Sequence, residues 1–237
     1  MKKNKVKNKI KHKSIEQAVK PVKEWANRLK NIPCFIVGNG TSLDKELPED
    51  KISKLEPYFT IGINRAFLRI ETTLLMWQDM SLWFQERKKV SKLKSVLLAR
   101  DRADPENHAF HFRLAGREYK LVNDPTTLYG RGSSGALAFQ LAYSFGCNPV
   151  ILLGMDCKYS GNKTNFYGKN SGHNHSTLPN CVKGLKWIKD CQDKTKIINC
   201  SDNDIFKEHH KLDDVLEQIK YLGSWSQVEL KKMLLYG

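Results

Sequence analysis

The residue in this chain best suited to moving a proton is His175, in Ser171-Gly172-His173-Asn174-His175-Ser176-Thr177, just ahead of a helical stretch. Imidazole titrates near neutrality, so a loop histidine beside a bound ligand can take the proton of an acceptor hydroxyl. His173 offers the same chemistry two residues earlier. A pair at that spacing, without cysteine support, does not make a zinc site. His209-His210 falls in a charged stretch that reads as a solvated helix.

Anion binding has two candidate places. In Pro33-Cys34-Phe35-Ile36-Val37-Gly38-Asn39-Gly40-Thr41-Ser42-Leu43 an apolar run stops in glycines and is followed by hydroxyl side chains. That is the pattern of a buried strand entering a tight turn and then a helix, with Thr41 or Ser42 placed to cap it and Gly38, Asn39 and Gly40 placed against a ligand. The motif is shorter than a dinucleotide fingerprint and lacks the lysine of a phosphate loop. Gly132-Ser133-Ser134-Gly135 is a second small-residue turn opening a helix. Its serines either cap that helix or touch a phosphate or ribose hydroxyl; neither has the setting of a nucleophile.

Asp156 follows the strongest apolar run, and Asp79 ends another. A carboxylate in such a place accepts hydrogen bonds from a ligand, holds a cation or caps a turn, and two at neighbouring strand ends can share magnesium. Trp77, Trp83, Phe84, Phe166 and Tyr167 are candidates to stack on a base or sugar. Trp77 lies within a strand and reads as core, whereas Phe166 and Tyr167 sit in a polar loop.

These residues need a scaffold. Apolar runs without alternation at 34–37, 59–63, 74–77, 95–99, 149–153 and 196–200 read as buried strands, separated by helical stretches at 136–145 and 179–191. Two short strands are expected at 110–112 and 119–122, within an insertion near the site. The fold class is therefore α/β, a single domain whose mostly parallel sheet is covered by helices on both faces. In such sheets ligands sit beyond the carboxyl ends of the strands, where Asn39, Asn64, Asp79, Ser133, Ser134, Asp156 and Ser201 all fall. The organisation expected is a basic tail over 1–13, an N-terminal helix over 14–30, a core over 33–206 and helices over 212–235.

Composition is that of a globular protein, 40% hydrophobic and 27% charged over 237 residues. No run of apolar residues is long enough to span a membrane, and the N-terminus lacks the apolar centre of a secretory signal. A cytoplasmic location is expected. Six cysteines without a Cys-x-x-Cys pair read as buried free thiols. The net charge of +15 is uneven, with seven lysines between Lys2 and Lys13. That block is either a solvated tail or a hold on nucleic acid or an anionic surface.

In block order the sequence reads Val-Gly-Asn-Gly-Thr-Ser-Leu, Ile-Asn-Arg-Ala-Phe, Trp-Gln-Asp-Met-Ser-Leu-Trp-Phe, Ser-Ser-Gly-Ala-Leu-Ala-Phe, Val-Ile-Leu-Leu-Gly-Met-Asp and then a His-Ser loop. From about Pro33 to Phe206 this resembles the bacterial sialyltransferases of glycosyltransferase family 42. It equally resembles the wider group around them, including DUF115 and small uncharacterised phage proteins. The resemblance implies a single Rossmann-like domain binding a nucleotide-activated donor, a CMP-sugar in the sialyltransferases, with no metal needed. It implies that Asn39 and Gly40 contact the donor phosphate and nucleotide. Asn64, Ser134 and Asp156 match residues of the family's motifs, and His175 matches its general base. Asp79 stands where the family has asparagine, and Cys157-Lys158 where it has a tyrosine, so the sugar is left open. Relatives assemble as homo-oligomers. On the DUF115 side the resemblance implies a magnesium- and ATP-dependent pyrophosphokinase. From a different class, a nucleic-acid-binding protein that kept the fold would act through its lysine tail.

Overall fold

The structure, a computed structural model, describes residues 22–168 and 178–236. The basic tail and the loop carrying His173 and His175 lie outside the described residues.

Eight strands form one sheet: β1 (Cys34–Val37), β2 (Phe59–Ile63), β3 (Leu74–Trp77), β4 (Val96–Arg100), β5 (Phe110–Ala115), β6 (Thr127–Tyr129), β7 (Val150–Leu153) and β8 (Ile197–Asn199). Their order is β6-β5-β4-β3-β2-β1-β7-β8, and every pairing is parallel. The chain lays β2 to β6 outward on one side of β1, then returns to place β7 and β8 on the other. Strand order therefore reverses between β1 and β7, and a crevice must open there because the connections leave in opposite directions. Val37 pairs with both Gly62 and Leu153, so the turns after β1, β2 and β7 start at nearly one height.

Both faces of the sheet are buried, which is why the central strands read as unbroken apolar runs. Cys34 and Ile36 point into one core and Phe35 and Val37 into the other. The first face is covered by α3 (Ser134–Ser144), α4 (Leu178–Asp190) and α6 (Gln227–Tyr236). The second is covered by α1 (Leu43–Glu46) and α5 (Leu212–Ile219) over β1, β7 and β8, and by α2 (Met80–Val90) over β3 and β4. Helix α3 is buried along nearly its whole length, and each large side chain it contributes, such as Leu137 or Phe139, stabilises by about 1.5–3 kcal/mol. Trp77 and Trp83 stack nearly parallel in the α2 core, and Trp77 Nε1 donates to Ala103 O at 3.0 Å. They are core residues, and the exposed Phe84 is likewise no part of a site wall.

Three expectations need correction. Of the helix expected over 14–30, residues 22–23 are helical, 24–31 are consecutive turns, and 14–21 lie outside the described residues. Asn27 and Asn31 adopt left-handed φ values of 59° and 62°. Asn27, Leu29 and Asn31 donate their amides to the carbonyls of Ser144, Phe145 and Gly146, supplying partners to the open C-terminal end of α3. Val22, Trp25 and Leu29 are buried as the helical spacing implied, but on a strap. Residues 119–122 form no strand; β6 lies later, at 127–129, after an Asp124–Thr126 turn, so the middle segment extends the sheet edge. His209 and His210 are not helical, and His209 Nε2 lies 3.1 Å from Glu46 Oε1. Among the described residues no helix is long and apolar enough to cross a membrane.

Candidate functional site

The turns after β1, β2, β3 and β7 and the first turns of α3 and α4 enclose a cleft of about 660 Å³. Gly38, Asn39, Gly40, Asn64, Asp79, Ser133, Ser134, Gly135, Asp156 and Tyr167 all line it. Of the described sequence candidates, Thr41, Ser42, Phe166 and Ser201 do not, nor do Trp77, Trp83 and Phe84; His175 lies outside the described residues.

Close packing of two turns builds the floor. Gly40 N donates to Gly154 O at 2.7 Å, and Gly38 N to Leu153 O at 2.8 Å. A Cβ on Gly38 would stand 2.3 Å from Gly154 O, and one on Gly40 would stand 2.4–2.6 Å from the carboxyl atoms of Asp156. The glycines of this motif thus admit the β7 turn. Asp156 completes the contact: its Oδ1 accepts from Ser42 Oγ at 2.5 Å, and its Oδ2 accepts from Ser42 N at 2.8 Å and Thr41 Oγ1 at 3.3 Å. Ser42 neither caps α1 through its side chain nor reaches the cleft; it is spent on Asp156. Burial pushes the Asp156 carboxyl above its ordinary range, against the pull of the Ser42 and Thr41 hydrogen bonds.

Asn39 and Asn64 face the cleft with unspent capacity. Asn39 Nδ2 donates to Ile63 O at 2.9 Å, which aims its oxygen away from that bond. The buried Oδ1 atoms of both asparagines have no hydrogen-bond partner among the described residues. Asn64 holds a left-handed φ of 52° at the start of the 3-10 turn over Asn64–Leu68. A buried, unmet acceptor costs about 1–3 kcal/mol, which a ligand N–H or O–H recovers.

The opposite wall is the start of α3. Ser133 Oγ caps the helix by accepting from Ala136 N at 3.3 Å, the structural one of its two expected roles. Ser134 Oγ accepts from Gln78 Nε2 at 2.8 Å, which leaves its own O–H to donate. The N-terminal ends of α2, at Asp79, and of α3 both open on the cleft, and each carries partial positive charge. Arg100, Arg102 and Arg131 also line it; among the described residues none of the three has a carboxylate partner, and buried Arg100 Nε has no hydrogen-bond partner. Lys158 is held by Asp202 and Asp204 at 2.7 and 3.2 Å. The Arg65 guanidinium lies 5.6 Å over the Tyr167 ring, and Phe166 N donates to Asn39 O at 2.9 Å, tying the polar loop to the floor.

Gln78 and the three arginines were missed. Arg100-Asp101-Arg102 is a polar cluster at a strand end, the same signal that marked Asp79. Nothing local to Arg131 says that it faces the cleft. Cys157 and Cys181 also line the cleft half-buried, unlike the other cysteines, which are buried as expected. For a divalent ion the donor set is poor. Asp156 has both oxygens engaged, and among the described residues no three His, Cys, Asp or Glu side chains gather where a metal could be held.

No protein-family model matches the sequence, and no curated protein does. Among solved structures, a mammalian sialyltransferase aligns with a TM-score of 0.40 at 12% identity, over 81% of each chain. A mammalian sialyltransferase in complex with Gal-beta-1-3GalNAc-ortho-nitrophenol aligns at 0.34 and 12%, over 80% of each chain. The MAf glycosyltransferase from Magnetospirillum magneticum AMB-1 aligns with a TM-score of 0.56 at 14% identity, over 94% of this chain and 41% of that one. The chain thus spans well under half the length of that protein. At such identity the likeness is one of architecture: this chain has an α/β, Rossmann-like fold shared with a glycosyltransferase.

Proposed function

We propose that this chain is a glycosyltransferase that moves a sugar from a nucleotide-activated donor to an acceptor hydroxyl. The observation that carries this reading is the crevice at the strand-order reversal, floored by two buried amide oxygens, on Asn39 and Asn64, that lack partners among the described residues. They suit the N–H and O–H groups of a base, ribose or sugar. The start of α3, the hydroxyl of Ser134 and the guanidinium groups of Arg100 and Arg131 suit the donor phosphate.

The reaction is direct displacement. The acceptor oxygen attacks the anomeric carbon, the bond to the donor phosphate breaks, and the phosphate leaves with the electron pair. His175 takes the acceptor proton, a role worth about 10² to 10⁴ in rate. Charge building on the phosphate is met by fixed dipoles and arginines already in place. No magnesium is needed in this reading, because Asp156 is committed to Ser42 and Thr41 and Arg100 and Arg131 are available. The donor of choice is a CMP-sugar, and the acceptor is open.

A thermal-shift panel of CMP, UDP, GDP and ATP, with and without magnesium, tests the reading. CMP at 100 times its Kd should add about 2.7 kcal/mol of stability, unchanged by EDTA. Stabilisation by ATP only with magnesium would select the pyrophosphokinase, and silence towards every nucleotide would leave the nucleic-acid-binding reading. His175→Ala should lose turnover and keep the nucleotide-induced shift; unchanged product formation would remove His175 from the mechanism.

A further inference from the structure

Two pairs of thiols in this molecule are hydrogen-bond partners: Cys34 with Cys147, and Cys157 with Cys181. Their settings differ. Cys34 and Cys147 are 0% and 2% exposed within the first-face core. Cys157 and Cys181 are half-buried and both line the cleft. Cys157 sits in the loop after β7, one residue beyond Asp156, with a left-handed φ of 53°. Cys181 belongs to the first described turn of α4. Reagents that enter the cleft therefore reach one pair and not the other.

We propose that Cys157 and Cys181 are a reversible oxidation site in the cleft wall, converted to a disulfide by a low-molecular-weight disulfide such as oxidised glutathione. Cys181, as thiolate, attacks one sulfur of glutathione disulfide; that S–S bond breaks, and one glutathione leaves with the electron pair. Cys157 then loses its proton and attacks the Cys181 sulfur of the mixed disulfide, expelling the second glutathione. Two protein thiols are oxidised by two electrons, one glutathione disulfide is reduced to two thiols, and the protons pass from the cysteines to the glutathiones. The order of attack follows from the pair itself. The hydrogen bond from Cys157 holds Cys181 below the ordinary thiol range against the effect of burial, while the same bond, with burial, keeps Cys157 protonated. The new bond joins the β7 loop to α4 across the wall. In sequence, the span it closes contains His175.

The test uses the intact, reduced protein, incubated with oxidised glutathione, quenched with N-ethylmaleimide and mapped by non-reducing mass spectrometry. The expected product is a Cys157–Cys181 cross-link, lost on adding dithiothreitol, with Cys34 and Cys147 alkylated only after denaturation. Cys157→Ser should stop at a glutathione adduct on Cys181, and Cys181→Ser should give no cross-link. Absence of the cross-link in the unsubstituted protein overturns the proposal. So does cross-linking of Cys34 to Cys147 at a similar rate, which would make contact, and not access, the deciding property. None of these readouts depends on a nucleotide being bound.

Discussion

Asn64 concentrates the chemistry of the site in one side chain. Its φ of 52° is one that asparagine tolerates and most residues do not, and its buried oxygen has no partner among the described residues. Glycine accepts the same backbone, so Asn64→Gly removes the acceptor without strain. We expect nucleotide affinity to fall about tenfold, the value of a single hydrogen bond of about 1.4 kcal/mol, while urea unfolding changes by less than about 1 kcal/mol. Isothermal titration with CMP, beside urea unfolding, separates the two. Equal affinity in both proteins would mean that the Asn64 oxygen does not meet the ligand. Asp156 teaches the opposite lesson at the same scale. Its position beyond an apolar strand marked it from sequence as a ligand contact, a cation ligand or a turn cap, but its partner Ser42 lies 114 residues away. No local pattern shows that pairing, so the commitment of both oxygens became visible only in the fold.

At the scale of elements, the turn after β1 and the turn after β7 act as one unit, joined by the Gly40–Gly154 hydrogen bond and the Asp156 carboxylate. Gly40→Ala puts a methyl within 2.6 Å of that carboxyl, whose side chain is short and pinned by Ser42 and Thr41. We expect it to cost about 1–3 kcal/mol, as overpacking does. In an Asp156→Ala background the same substitution should cost at least about 1 kcal/mol less, since the clashing atoms are gone. Chemical denaturation of the four proteins gives the coupling, and additive effects would sink this account of the glycine. The elements themselves were largely legible. β1, β2, β3 and β7 are buried on both faces, and that alone produces unbroken apolar runs. Polar and small residues at their carboxyl ends then line the cleft, as Asn39, Asn64 and Asp79 do. The strap before β1 was not legible, because turns closed between residues i and i+3 bury Val22, Trp25 and Leu29 at a spacing a helix would also give. What separates the two is the left-handed geometry of Asn27 and Asn31, and asparagine alone does not announce it.

Across the whole molecule, the sheet is sealed from both sides, and a contact between a histidine and a carboxylate has been sealed in with it. His111 on β5 is paired in register with Ala99 on β4, and its Nε2 lies 3.4 Å from Oδ2 of Asp104, both side chains being fully buried. Asp104 Oδ2 also accepts from Ala109 N at 2.7 Å, fastening the loop between β4 and β5. Burial pushes the Asp104 carboxyl up, but the neighbouring His111 and the amides of Ala109 and His108 outweigh it and hold it below its ordinary value. A carboxylate depressed on folding contributes stability above its unfolded pKa of about 3.9, and loses it as pH falls through the lower folded value. Asp104→Asn keeps the shape, removes the charge and leaves His111 buried beside a neutral amide. We expect the variant to be about 1–3 kcal/mol less stable than the parent at pH 7, the cost of a disrupted buried polar contact. The gap should narrow steadily below about pH 4, as the parent's own Asp104 protonates. Urea unfolding of both proteins between pH 7 and pH 3 follows it directly. A gap that stays constant across that range would show that the charge on Asp104 does nothing for the fold and that the pair is held by packing alone.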